Sequence, residues 1–214
     1  MKCPAALSAV IKIPQRMFEP GDKTVVAAKI ELRKILRKQR AQISWQQVSR
    51  SSMQVAEHIL ACDAFRKAQC IMGFLAFGRE LSVDLVLAQA LAEGKTVAVP
   101  YIVSASSFVP VKLQNMQHFA LDRFGIRTVP KPIKQISPEQ IALTLVPGVA
   151  FGRDGSRMGM GAGYYDRFLP QAKNAVIMGV AYDCLIQQTL PGDERDVKMQ
   201  LLVSESGIHK PIRL

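Results

Sequence analysis

The chain is poor in the side chains that carry most covalent catalysis. Three histidines, His58, His118 and His209, are scattered along 214 residues, with no Ser-His-Asp or Cys-His arrangement around them. An enzyme that works through an activated nucleophile is therefore not indicated. Four cysteines, Cys3, Cys62, Cys70 and Cys184, show neither CxxC nor metal-ligand spacing, which suits free thiols in a reducing cytosol. Cys70 lies in an apolar, strand-like run and reads as core. No apolar run is long enough to span a bilayer, and no internal repeat or long linker divides the chain. With 49% hydrophobic and 21% charged residues, the balance is that of one globular domain with a sizeable core.

Acidic residues are scarce relative to basic ones, 17 against 28, for a net charge of +11. Such a surplus favours anionic partners. Much of it falls between Lys29 and Arg50, where Lys29, Arg33, Lys34, Arg37, Lys38, Arg40 and Arg50 face only Glu31. Most of these read as a solvated helix face. No aromatic residue interleaves its dense part, Lys29 to Arg40, and no helix-turn-helix or RNP-like pattern is present, so a nucleic-acid partner is not expected.

Periodicity gives alternating helices and strands. Val25 to Ile43 reads as an amphipathic helix with Val26, Ile30 and Leu36 among its apolar positions. Ser44, with Gln47 three residues on, forms a capping box opening a second helix to about Ala61. Cys70 to Phe77 reads as a strand, Val83 to Glu93 as a helix stopped by Gly94, and Thr96 to Pro100 as a short strand. Ser106 to Leu113 reads as an edge strand, because Pro110 has no N–H for a ladder. Leu121 to Ser137 reads as irregular surface chain; Ala175 to Ala181 and Gln200 to Val203 supply later strands. The alternation argues for a parallel or mixed sheet between helical layers.

The most informative segment runs from Leu145 to Arg167. Ala142 to Val149 reads as a buried strand closed by Pro147-Gly148, and three alternating glycines follow, Gly159, Gly161 and Gly163. Without Cβ atoms, these positions allow positive φ and close approach of backbone N–H groups to phosphate oxygens. Arg153, Arg157 and Arg167 flank them, and Tyr164 to Leu169 reads as a helix whose first turn adds unpaired donors. Asp166, in that turn, suits the helix dipole and also a hydrated Mg²⁺ beside phosphates. No Gly-Lys-Ser/Thr follows, so this is not a Walker A loop, and the GxGxxG pattern is incomplete. Ligand binding is favoured over a plain crossover turn with solvated arginines.

The string PGVAFGRDGSRMGMGAGYYDRFL resembles the signature of the 5-formyltetrahydrofolate cyclo-ligase family. Lys29 and Arg33 in KIELR, Leu75 and Glu80 in FLAFGREL, and Asp196 after LPGDER match the same family in the same order. Four positions depart from the family pattern: Val129, Ala142, Gly152 and Met160. The resemblance implies a single three-layer α/β domain with a mostly parallel or mixed central sheet, similar to the sugar-phosphate isomerase and CoA-transferase-like group. It extends from Lys29 to the end, leaving residues 1–28 as an N-terminal extension. That extension carries no clear cleavage pattern, so a cytoplasmic enzyme is expected.

The resemblance also implies a reaction. Such enzymes use ATP and Mg²⁺ to cyclise 5-formyltetrahydrofolate, including polyglutamylated forms, to 5,10-methenyltetrahydrofolate. ADP and phosphate are released through a phosphorylated formyl intermediate. Catalytic roles would fall to Lys29, Glu80 and Arg157. Nucleotide would be held by Lys29, Ile30, Glu31, Leu32 and Arg33, and by Arg157, Met158, Gly159, Met160, Gly161, Ala162, Gly163, Tyr164 and Tyr165. Folate would contact Phe74, Leu75, Glu80 and the stretch Met160 to Tyr164, with Phe108 lining the same pocket. Asp166 and Asp196 match the metal positions. A monomer with no nucleic-acid or membrane partner is expected. Two other readings remain open from residues alone: a nucleotide- or sugar-phosphate-binding isomerase of similar fold, and a basic nucleic-acid-binding protein.

Overall fold

A computed structural model describes residues 23–122 and 125–212. The first 22 positions of the expected extension lie outside the described residues, and so do Arg213 and Leu214. In chain order the first half comprises α1 (Lys23–Ala41), α2 (Trp45–Ala61), α3 (Asp63–Lys67), β1 (Cys70–Met72), α4 (Asp84–Ala92), β2 (Thr96–Ile102), β3 (Phe108–Lys112), β4 (Ala120–Leu121) and β5 (Arg127–Thr128). The second half comprises β6 (Leu143–Pro147), β7 (Ala150–Gly152), β8 (Arg157–Met158), α5 (Tyr164–Phe168), β9 (Val176–Val180), β10 (Ile186–Gln187), β11 (Leu201–Ser204) and β12 (Gly207–His209).

Seven strands form the main sheet in the order β12-β11-β9-β6-β1-β2-β3. The five inner strands run parallel, while β12 and β3 close the two edges antiparallel. The inner strands are apolar on both faces, as a sheet covered on both sides requires. In β1, Ile71 packs into the core beneath α1, α2 and α4, whereas Cys70 and Met72 pack with Phe168, Leu169 and Met199 on the opposite face. This is the expected three-layer α/β arrangement. A small sheet, β10-β7-β8, and the hairpin β4-β5 sit outside it.

Several local expectations are revised. Helix α1 runs from Lys23 to Ala41, two residues earlier at each end than expected. Its buried face is Leu32 and Leu36, while Val26 and Ile30 are exposed. Ser44 caps α2 by accepting the Gln47 N–H at 3.1 Å, but the Gln47 side chain donates to Ser51 Oγ at 2.8 Å, so the capping box is only half made. Strand β1 ends at Met72. The apolar run continues because Phe74 and Leu75 are buried in the loop that leaves the sheet. Leu121 to Ser137 contains a hairpin rather than only irregular chain: the Asp122 carboxylate accepts the Ile126 N–H at 2.9 Å, and Gly125 takes φ +74°. Pro110 sits in the edge strand β3, where its missing N–H leaves the sheet intact.

Strand β1 is flanked by β2 on one side and β6 on the other, and the chain winds outward in opposite directions from this pair. Crevices at the carboxyl ends of such neighbouring strands are where open α/β sheets hold ligands. The loop after β1, the Pro147-Gly148 turn after β6 and the end of β2 converge there.

Candidate active site

Helix α1 sends three basic side chains toward this crevice. Lys29 Nζ lies 2.7 Å from Asp196 Oδ2 and 3.3 Å from Asp193 Oδ2. Arg33 Nε donates to the Gly159 carbonyl at 2.9 Å. Two turns further on, Arg40 Nη1 donates to the Gly148 carbonyl at 3.2 Å and lies 3.5 Å from Glu80 Oε1. At about 100° per residue these three positions fall within an arc of about 40°. Between Lys29 and Arg33 the helix turns the other residues away: Ile30 and Glu31 are exposed, and Leu32 is in the core. Those three expected nucleotide contacts do not line the cavity. Lys34, Arg37, Lys38 and Arg50 are exposed, as a solvated face should be.

The glycine segment forms the opposite wall. Gly161 and Gly163 adopt φ +109° and +64°, conformations that side-chain-bearing residues rarely enter. Gly159 is constrained differently, because a Cβ there would lie 2.7 Å from Arg157 Nη1. Two of the three glycines are thus set by backbone conformation and the third by the guanidinium behind it. The loop is anchored to the β2–β3 connection, with the Tyr164 hydroxyl donating to the Ser104 carbonyl at 3.2 Å and Arg167 Nε to the Ser106 carbonyl at 2.6 Å. Phe108 packs against Tyr165 and Phe168, with ring centroids 5.2 and 4.7 Å away. Helix α5 is only five residues long, so any donors it offers are a few first-turn N–H groups rather than a long macrodipole.

Arg157 is the best-buried charge in the crevice. Its Nη2 lies 2.8 Å from both oxygens of Asp166, and its guanidinium sits 5.5 Å from the centre of the Tyr165 ring. Arg157 Nε and the Tyr165 hydroxyl are buried without a hydrogen-bond partner. Burial pushes the Tyr165 phenol far above its usual value, so it remains a donor at neutral pH. Buried donors are rarely left unpaired, and both belong to side chains lining the cavity. Donors held in this way suit an anionic oxygen.

The cavity holds about 400 Å³ and is lined by Lys29, Arg33, Glu80, Phe108, Asp166, Asp196 and every residue from Arg157 to Tyr165. A second cavity of about 460 Å³ adjoins it, walled by Phe74, Leu75, Phe77, Tyr101, the β4–β5 hairpin and Val129 to Lys131. Glu80, Pro100, Ile102, Pro147 and Met160 belong to both walls. The structure therefore places Phe74 and Leu75 in the second, largely apolar cavity, which also includes Asp122, Arg127 and Lys131, and the remaining charged residues expected in the site in the first, with Glu80 between them. The Glu80 carboxylate accepts the Phe77 N–H at 3.1 Å. Burial pushes its pKa above the ordinary carboxylate value, against the opposing pull of Arg40 and the Phe77 N–H.

Asp166 and Asp196 face the same cavity from separate segments, but no group of three acidic, histidine or cysteine side chains is placed to hold a metal among the described residues. Asp193, beside Asp196, was not anticipated as a site residue; the N–H of Arg195, above all, holds its pKa below the ordinary value. Arg40 was also missed. Its angular match to Lys29 and Arg33 was the available signal.

Comparison with known proteins gives the family. Residues 25–205 match the model of the 5-formyltetrahydrofolate cyclo-ligase family, and the chain belongs to that family. It is 26% identical over 179 residues to the 5-formyltetrahydrofolate cyclo-ligase of Escherichia coli strain K12, covering 81% of this chain and 98% of the relative. The Mus musculus enzyme of the same name is 25% identical over 196 residues, covering 86% and 97%. Among solved structures, the NMR structure of Aquifex aeolicus 5,10-methenyltetrahydrofolate synthetase superposes with a TM-score of 0.76 at 28% identity, covering 85% of this chain and 92% of that one.

Proposed function

We propose that this protein cyclises 5-formyltetrahydrofolate to 5,10-methenyltetrahydrofolate with ATP and Mg²⁺, releasing ADP and phosphate. The observation that carries this reading is the pair of adjoining cavities, one lined by paired cations and carboxylates and one largely apolar, meeting at Glu80. A reaction that joins a phosphate donor to a ring-bearing substrate needs that arrangement. When bound, MgATP supplies the phosphoryl group that converts the formyl oxygen, a poor leaving group, into a phosphate ester that N10 displaces on closing the ring. No enzyme nucleophile is required, in keeping with the few scattered histidines.

The chain's residues position and neutralise. Arg157 and Lys29 neutralise phosphate oxygens, and Arg33 holds the glycine loop in place through the Gly159 carbonyl. The Tyr165 hydroxyl and Arg157 Nε provide the unpaired donors. Asp166 and Asp196 would hold a hydrated Mg²⁺, which typically takes one or two carboxylates and completes its shell with phosphate oxygens and water. Lys29 and Arg157 neutralise both carboxylates before ligand arrives. The apolar cavity takes the pterin and the ring beyond it, with Phe74 and Leu75 packing on them and Glu80 accepting pterin N–H groups. Phe108, expected in the folate pocket, lies instead in the wall of the other cavity, packed against Tyr164 and Tyr165.

The same proposal places residues 29–214 in one catalytic domain, working as a monomer in the cytoplasm without nucleic acid. Free thiols at Cys62 and Cys70 support a reducing compartment. Among the described residues, no helix is long and apolar enough to cross a membrane. The test is the near-ultraviolet absorbance of protein mixed with 5-formyltetrahydrofolate and Mg²⁺, with and without ATP. An ATP-dependent rise from the methenyl product is expected; its absence with folded protein refutes the reading.

A further inference from the structure

Arg40 is placed where a surface arginine has no need to be. Its side chain is 11% exposed, and it packs behind Glu80, facing a small space walled by Phe74, Leu81, Gly148, Val180 and Tyr182. It lines neither of the two large cavities. One guanidinium nitrogen serves both the Glu80 carboxylate and the Gly148 carbonyl, and the other lies 3.9 Å from the Met160 sulfur. Glu80, Gly148 and Met160 come from the loop after β1, the turn after β6 and the glycine segment. They are the three walls that meet where the cavities join.

We propose that Arg40 is a positioning residue that acts on folate through Glu80, clamping its carboxylate from behind so that the free face points into the junction of the two cavities. The inference rests on the reading of Glu80 as the folate-binding carboxylate. A guanidinium is suited to this task because its planar fork serves several acceptors at once from a fixed position, whereas an ammonium serves as a point charge. The Phe77 N–H is the second clamp, on the other carboxylate oxygen. Together they leave the glutamate little rotational freedom.

The titratable and charged groups facing Glu80 are Arg40 from α1, Tyr165 from α5 and Tyr182 from the segment after β9. Burial keeps both phenols neutral near pH 7, so Arg40 is the charge that favours the ionised carboxylate. The sign follows. Folate affinity that depends on ionised Glu80 is present above its raised pKa and is lost as pH falls through it. Removing Arg40 raises that pKa further and moves the acid limb upward.

The experiment is calorimetric titration of 5-formyltetrahydrofolate, without nucleotide, into wild type, Arg40→Gln, Arg40→Lys, Glu80→Gln and the double variant between pH 5 and 8. Arg40→Gln is expected to weaken binding about tenfold, as loss of a charge-assisted contact does, and to shift the acid limb to higher pH. Arg40→Lys recovers the limb but only part of the affinity. In the Glu80→Gln background the Arg40 substitution has little further effect, because its route is already gone. Equal losses in both backgrounds mean that Arg40 is merely structural, and an unshifted acid limb in Arg40→Gln overturns the proposal by itself. Unchanged folate affinity in Glu80→Gln points instead to failure of the underlying site reading. If Arg40→Gln does not fold, Arg40→Lys and its combination with Glu80→Gln make the same comparison.

Discussion

The two cavities that meet at Glu80 are built in opposite ways. The charged cavity takes half of its wall from one continuous segment, Arg157 to Asp166, and its charges are already paired with one another, Arg157 with Asp166 and Lys29 with Asp196. The apolar cavity is assembled from the loop after β1, the end of β2, the β4–β5 hairpin and Val129 to Lys131. A phosphate chain is recognised by converging donors and glycine backbone, which a short segment can supply. Flat rings are recognised by area, which must be collected from several elements. The pairing of charges within the charged cavity also lets the unliganded chain bring four charged groups together without leaving a buried one uncompensated.

Breaking the charged wall should have the largest effect. Arg157→Ala is expected to reduce turnover about 10²- to 10³-fold, the usual loss when a donor to developing charge is removed. Affinity for 5-formyltetrahydrofolate in the absence of nucleotide should change less than about twofold. Steady-state kinetics and calorimetric titration check the two halves, and an equal loss on the folate side would erase the division between the cavities. Asp166→Ala should also reduce turnover strongly. It should lower stability by about 3 kcal/mol as well, because it leaves the nearly buried Arg157 guanidinium without its carboxylate.

A smaller effect sharpens the comparison. Gly161→Ala places a Cβ in a backbone held at φ +109°, a strain of about 1 to 3 kcal/mol. The loop should relax, weakening nucleotide affinity about tenfold while folate affinity holds. A nucleotide titration unchanged by the substitution would show that the loop tolerates reshaping and that its glycines are not set by ligand approach.

The smallest effect is expected outside both cavities. The Asp154 carboxylate accepts hydrogen bonds from Ser156, Thr189 and Lys198 and braces the loop between β7 and β8. Although burial alone would raise its pKa, these bonds hold it below the ordinary value of 3.8. A depressed carboxylate contributes stability that is present above its unfolded pKa and lost as pH falls through the folded one. Asp154→Asn should therefore cost about 1 to 2 kcal/mol at pH 7. The gap to wild type should close below pH 4 in denaturant titrations, with binding on both sides unchanged. A large change in either affinity would mean that the loop couples to the cavities.

The division between legible and illegible features follows the same physics. The glycine segment, Asp166 and Arg157 could be read because their chemistry lies within ten residues. Glu80, Leu75 and Asp196 carried no local signal beyond the family resemblance, and in isolation each would pass for a helix-start carboxylate, a core leucine or a surface-loop acid. The burial of Arg40 was hidden by its neighbours: among Lys34, Arg37 and Lys38, all exposed, one more basic residue looks like solvated helix. The hairpin of residues 120–128 was missed because its strands are two residues each, too short to show alternation.

By itself, then, the sequence determined the alternation of helices and buried strands, the glycine loop and the family, since all three are written in local periodicity, backbone permissiveness and residue order. Tertiary structure decided which of many like charges are used. The sheet brings the ends of β1, β2 and β6 to one edge, and α1 lies across that edge. Which residues of α1 face the crevice is set by its rotation about its own axis, and that rotation is fixed by the burial of Leu32 and Leu36 against strands far away in sequence. Packing of apolar side chains thus selected Lys29, Arg33 and Arg40 for the site and left their basic neighbours in water.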